Sequence, residues 1–268
     1  MTVLSELYLY PVKSLAGIQV DEWELDDFGL RFDRRWMVVT PEGRFMTQRE
    51  FPQMALIQPE LSGQALRLHH PHLGEFEVPS VSQDSVRVQV EVWHDQVAAV
   101  PVGESADAWL EQAIGVPCRL VFFPEDVLRQ VDRRYALSGE RTAFTDGFPL
   151  LLIGQGSLDD LNRRLAAPLP MRRFRPNLVV AGAPAYAEDG WHRIAVGGIP
   201  MRVVKPCSRC AITTVDPQTG RFSGKEPLAT LATYRKRGNQ VYFGQNLIHE
   251  GRGRLCVGDR VEILHGRL

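Results

Sequence analysis

The chain has 268 residues, 44% of them hydrophobic, which is enough to bury one large core or two modest ones. With 31 basic and 32 acidic residues the net charge is −1, so no bulk field draws it to nucleic acid or to an anionic membrane, and any basic site is a local cluster. Four cysteines and no cationic-then-apolar leader at Met1–Glu6 point to a reducing cytoplasm, and apolar runs such as Phe148–Ile153 are far below bilayer length.

The first 120 residues read mostly as strands. Val3 to Val12 is an aromatic and aliphatic run interrupted at Pro11, and alternation resumes over Gly17–Glu22. Trp36–Thr40 and Arg44–Thr47 flank Pro41-Glu42-Gly43, a turn sequence, and read as a hairpin. Val86, Val88, Val90 and Val92 alternate with polar residues, which places the four valines on one buried face. Ala106, Trp109, Leu110, Ala113 and Ile114 share one helical face, with Ser105 as the expected N-cap and Gly115 as the stop. Glu125–Arg141 is charged and aperiodic; it reads as a connection, with Arg129, Arg133 and Arg134 on a solvated face.

The second half mixes types. Leu150–Ile153 is a short strand, and Gly154-Gln155-Gly156 turns into a helix with Ser157 and Asp160 as an expected capping box and Leu158, Leu161 and Leu165 inward. Such a helix start also attracts an anion. Asn177–Ala181 is a strand, Ile194–Val204 a hairpin about Gly197-Gly198, Pro227–Arg237 a helix with a basic last turn, and Cys256–Ile263 a final hairpin.

Between strand-like runs lies Lys205-Pro206-Cys207-Ser208-Arg209-Cys210, followed by the turn signal Asp216-Pro217-Gln218-Thr219-Gly220, which suggests two thiols on a short held loop. Lys205 and Arg209 favour a thiolate there, suited to a nucleophile or a soft metal ligand. A structural zinc site needs four ligands, and Cys118 and Cys256 are isolated in sequence. A thioredoxin-type dithiol opens a helix, which this spacing does not. Spacing alone leaves buried structural cysteines and reactive ones both open.

Tyr10-Pro11-Val12-Lys13-Ser14, Asp33-Arg34-Arg35-Trp36, Thr145-Asp146-Gly147-Phe148-Pro149, Phe174-Arg175-Pro176-Asn177, Ala187-Glu188-Asp189-Gly190-Trp191 and Cys207 through Gly220 occur in that order. In these stretches the chain resembles the MOSC family, and within it the YcbX-like bacterial proteins and the mitochondrial amidoxime-reducing component. The resemblance spans nearly the full length. It implies a mainly β fold with α+β elements: an N-terminal β-barrel-like lobe over residues 1–120, then a β-rich MOSC domain over 121–268 with a few helices.

The resemblance further implies the molybdenum cofactor, Mo-molybdopterin, with Cys210 rather than Cys207 as the protein ligand to the metal. It assigns Lys13, Ser14, Arg34, Asp146, Gly147, Arg175, Asn177, Ser208 and Arg209 to the pterin and its phosphate, a role that suits Lys as a point charge and Arg as a fork. One departure is Asn246, where the mitochondrial relatives carry an aromatic. The implied activity is reduction of small N-oxygenated compounds by two electrons and two protons. Asp216 is a candidate proton relay, although Asp before Pro is a common turn residue. With only Cys256 beyond the motif no iron–sulfur cluster can be built, so a separate flavin or iron–sulfur electron donor is expected. The rival reading is a non-catalytic carrier of the cofactor, or of sulfur on Cys210.

Overall fold

The structure, a computed structural model, describes residues 1–82 and 85–266. The fold is mainly β, with three α-helices among the described residues. Its largest sheet has nine strands, running β22 (Val261–Gly266), β15 (Trp191–Val196), β16 (Ile199–Arg209), β20 (Gln240–His249), β13 (Leu150–Gly154), β14 (Leu178–Ala181), β1 (Val3–Leu9) and β3 (Ile18–Val20), with β19 (Lys236–Arg237) beside β20. Only β13 and β14 are parallel within it, joined by the helix α2 (Gln155–Arg164) as a crossover. Leu4, Leu7, Leu152, Leu178, Ile194, Met201 and Leu247 fill the core against one face of this sheet.

A five-stranded sheet, β10 (Val88–Val92), β11 (Asp95–Pro101), β12 (Arg119–Phe122), β6 (Trp36–Val39) and β2 (Val12–Lys13), carries the N-terminal lobe. The helix α1 (Glu104–Ile114) buries Ala106, Leu110 and Ala113 in the core shared with Val38 and Leu120 of this sheet. A meander of β7 (Gln58–Ser62), β8 (Ala65–His70) and β9 (Gly74–Glu77) adds Leu66 and Leu68 to that same core. The lobe is barrel-like in composition, yet none of its described sheets closes on itself.

Several local expectations change. Val86 is exposed and lies before β10, whereas Val90 and Val92 are buried as the alternation requires. Neither Ser105 nor Ser157 caps a helix: the N-cap positions are Gly103 and Gly154, and the Ser157 hydroxyl donates instead to Glu188. The helix after Pro227 is only α3 (Leu228–Ala232), because Lys236 and Arg237 pair with β20. The final two strands are not a hairpin. β21 (Gly253–Cys256) pairs with β4 (Glu22–Asp26), itself paired with β5 (Gly29–Leu30), while β22 pairs with β15. A small ribbon of β17 (Val215–Asp216) and β18 (Arg221–Phe222) follows the cysteine motif. Among the described residues no helix is long and apolar enough to cross a membrane.

Candidate functional site

The two thiols sit at a strand end rather than on a free loop. β16 runs through Cys207 to Arg209, Cys210 follows, and a 3-10 turn begins at Ala211. β16 reaches this point with register shifts against β20 at Val203/Lys205 and Pro206/Ser208, irregularities of the kind that re-aim side chains beside functional sites. Lys205, Asn246 and Leu151 are neighbours in register across β16, β20 and β13, and this row lines a cavity of about 310 Å³.

Cys210 and the nine residues assigned to the cofactor by resemblance all line that cavity, whereas Asp216 does not. Lys13 ends β2 and is buried; its Nζ donates to the Phe144 carbonyl (2.9 Å) and lies 2.5 Å from Asp146 Oδ1. Burial pulls the Lys13 ammonium below the ordinary lysine value, and Asp146 only partly offsets this. The Asp146 side chain is open to the cavity; the protein enclosing that cavity works to raise the carboxyl, but Lys13, Trp93 and Arg34 outweigh it and hold it below the carboxylate range. Gly147 follows, its N–H donated to Thr145 Oγ1.

Arg34 and Arg175 both stack on one ring. Their guanidinium carbons lie 4.2 Å and 4.3 Å from the centre of the buried Tyr10. Arg34 is held by Asp33 Oδ2 (2.5 Å) and Asn177 Oδ1 (3.2 Å), and Arg175 donates to the Leu15 carbonyl (2.6 Å). Desolvation lowers Arg175 to about 10, which leaves it charged at neutral pH. Asn177 spends its amide on the Tyr8 carbonyl and on accepting from Leu151 N–H and Arg34, so it orients the cradle.

On the opposite wall Ser208 is exposed, and Arg209 donates to Cys207 Sγ (3.1 Å) and to the Phe174 carbonyl (2.5 Å). The buried Arg209 Nε has no partner. Cys210 is exposed, with Arg49 Nη1 3.9 Å from its sulfur; Cys207 is half-buried. Cys118 is buried away from the site, where desolvation pushes its thiol up to about 12. Asp216 accepts from Gln218 N–H (2.8 Å) and lies outside the cavity lining, so it is a turn residue.

Two properties mark the cavity as a ligand site. Lys13, Arg34, Arg49, Arg175, Lys205 and Arg209 line it against a single carboxylate, Asp146, which makes it an anion site in a nearly neutral chain. Strain is concentrated there too. Of the six non-glycine residues with positive φ among the described residues, four line it: Ser14 (66°), Arg34 (48°), Trp93 (59°) and Arg175 (56°). The donor set suits an anionic cofactor with a soft metal, since it offers forked and point cations, an orphaned guanidinium N–H and one exposed sulfur.

Residues 1–117 match the MOSC N-terminal beta barrel domain, and residues 139–262 match the MOSC domain. The chain belongs to the MOSC family. Among MOSC relatives, mitochondrial amidoxime-reducing component 1 of Xenopus laevis is 36% identical over 97% of this chain and 81% of that protein. The Homo sapiens counterpart is 34% identical over 97% and 82%. Molybdenum cofactor sulfurase of Solanum lycopersicum is 32% identical over 92% of this chain, which covers 33% of that longer protein. The mitochondrial names overturn the cytoplasmic expectation. Free thiols report a reducing compartment, and composition does not tell one such compartment from another.

Sequence reasoning missed three residues in and behind this cavity. Arg49 and Trp93 belong to no motif, and Arg129, assigned to a solvated face, is buried behind the lining and donates to the Ala143 and Thr145 carbonyls (both 2.7 Å), fixing the loop that presents Asp146. A signal for Trp93 existed: it occupies a two-residue hairpin turn where a small residue is customary.

Proposed function

We propose that this cavity holds the molybdenum cofactor and reduces small N-oxygenated compounds, with Cys210 as the protein ligand to the metal. The observation that carries this reading is the exposed Cys210 sulfur facing a cavity on which Lys13 and Arg34 converge from one half of the chain and Arg175 and Arg209 from the other. When bound, the cofactor supplies the two-electron chemistry that breaks an N–O bond. Lys13, Arg34, Arg175 and Arg209 hold the anionic part of the cofactor, assisted by Ser14, Ser208, the Gly147 backbone and Asn177. Asp146 keeps Lys13 in place, and Asn177 and Asp33 orient Arg34.

Electrons come from a separate flavin or iron–sulfur donor protein, and the lobes 1–120 and 121–268 act as the two halves of the cradle. The test is elemental analysis and hydroxylamine reduction with a chemical reductant for wild type, Cys210→Ser and Cys207→Ser. Loss of molybdenum and activity in Cys210→Ser alone, with the circular dichroism unchanged, is the expected result. A loaded wild type that reduces no N-oxygenated compound, but passes cofactor to an apo-enzyme, would replace the reductase with a carrier.

A further inference from the structure

The hairpin joining β10 to β11 places Val92 opposite Asp95, so Trp93 and His94 form a two-residue turn. Trp93 takes φ 59°, a conformation for which such turns favour glycine, and strain of this sort persists where function requires it. Packing does not require it: the indole is 38% exposed and takes no part in the adjoining core, which is built from Val90, Val92, Val97 and Ala99. Instead the turn delivers the indole to the cavity. Its Nε1 donates to Asp146 Oδ1 (3.1 Å), the carboxylate that Lys13 pins, and its ring packs tilted on Phe45, with 5.2 Å between ring centres. The Arg49 guanidinium stacks on it at 4.6 Å while one nitrogen lies 3.9 Å from Cys210 Sγ. An aromatic plane and a cation therefore stand together beside the one exposed sulfur of the site.

Resting on the reductase reading above, we propose that Trp93 and Arg49 form the substrate-reading wall of the cavity, selecting planar, conjugated, uncharged or anionic N-oxygenated compounds over small or cationic ones. The indole and guanidinium supply stacking surface for a flat substrate body. Arg49 disfavours a positive charge approaching Cys210, by like-charge repulsion in a cavity already lined with cations. Neither residue is among the four cations assigned to the cofactor, but the indole also donates to Asp146, so molybdenum content is measured in each variant and kinetics are expressed per bound metal.

The test compares wild type with Trp93→Gly and Arg49→Gln, using benzamidoxime and N-methylhydroxylamine as probes, by calorimetric binding and by steady-state kinetics on cofactor-loaded protein. Trp93→Gly is expected to melt no lower than wild type, because glycine suits the turn, while the dissociation constant and KM for benzamidoxime rise at least tenfold. For N-methylhydroxylamine the change, read per bound molybdenum, should be at least fivefold smaller than for benzamidoxime. Arg49→Gln is expected to narrow the preference for benzamidoxime over the cationic N-hydroxyguanidine at least fivefold. Equal changes for both probes, no change for benzamidoxime, or no measurable benzamidoxime binding to wild type would overturn the assignment. Binding of benzamidoxime that depends on Trp93, without reduction of either probe, would sink the reductase reading and leave the wall standing.

Discussion

Lys13 Nζ and Asp146 Oδ1 meet at 2.5 Å across 133 residues of chain, one at the end of a strand of the N-terminal sheet and the other on the loop before β13. The ammonium is buried and the carboxylate side chain is 66% exposed, so water screens only one end of the pair. Asp146→Asn leaves the ammonium with the Phe144 carbonyl as its partner and is expected to lower unfolding stability by about 1–2 kcal/mol at pH 7. Because the folded carboxyl titrates below its unfolded value, this contribution is fully present above about pH 4 and fades as pH falls further. Urea unfolding of wild type and variant should therefore converge in acid. Lys13→Met, which removes the buried charge and keeps the stem, should change stability by less than about 1 kcal/mol. Its molybdenum content should nevertheless fall, and a variant that keeps full metal would refute the phosphate role of Lys13.

Arg129 supports the same loop from behind. Its Nη1 donates to the Ala143 and Thr145 carbonyls, and its Nε lies 2.8 Å from Asp95 Oδ2. Arg129→Leu strands two carbonyls and is expected to cost about 2–3 kcal/mol. Hydrogen exchange should show residues 143–147 losing protection before the sheets do. Uniform loss over the whole chain would show that Arg129 acts on global stability instead.

Tyr10 separates its role as a ring from its role as a phenol. Its hydroxyl is buried without a partner, and burial lifts it to about 12, with Arg175 and Arg34 pulling the other way. Tyr10→Phe keeps the surface on which Arg34 and Arg175 stack and removes an unsatisfied donor, so stability at pH 7 should hold or rise by up to about 1 kcal/mol. The phenol's folded pKa lies above its unfolded value, so its contribution is complete below pH 10 and is lost as pH rises towards 12. The alkaline limb of the stability curve should be shallower in Tyr10→Phe than in wild type. Tyr10→Ala, which removes the ring, should release both arginines and lower cofactor retention.

What the sequence made legible was local. The helix α1 followed from its apolar spacing and the β15–β16 hairpin from Gly197-Gly198, and the residues assigned to the cofactor by resemblance, from Lys13 to Cys210, line one cavity. Non-local pairing was not legible. β1 and β3 join the large sheet through β14, and β21 reaches back to β4, because strand partners are chosen by side-chain packing that no short window contains. Arg129 was misread for a related reason: a charge is buried when distant carbonyls are available to receive it, and those lie 14 and 16 residues away. The anion expected at the start of α2 is present but internal, being the carboxylate of Glu188.

That carboxylate makes the last test. Glu188 is buried, its Oε1 accepts from Gly154 N–H (3.1 Å) and from the Ser157 hydroxyl (2.7 Å), and its Oε2 has no partner. It thereby anchors the N-cap residue and the Ser157 hydroxyl of α2, the crossover that sets β13 and β14 side by side and so places Leu151 and Asn177 at the cavity. Burial raises its pKa, with Ser157 and Gly154 only partly offsetting the rise. Glu188→Ala is expected to lose about 2–3 kcal/mol, since two donors are stranded and a void is left. Glu188→Gln retains an acceptor but cannot ionise. Since the folded pKa is above the unfolded one, the wild-type contribution is complete below about pH 4 and declines as pH rises through the folded value. The stability difference between wild type and Glu188→Gln should therefore be largest in acid and shrink towards neutrality, the reverse of the trend for Asp146→Asn. A difference independent of pH would mean that Glu188 titrates alike in the folded and unfolded chain, and its place as the internal anion of α2 would rest on hydrogen bonding alone.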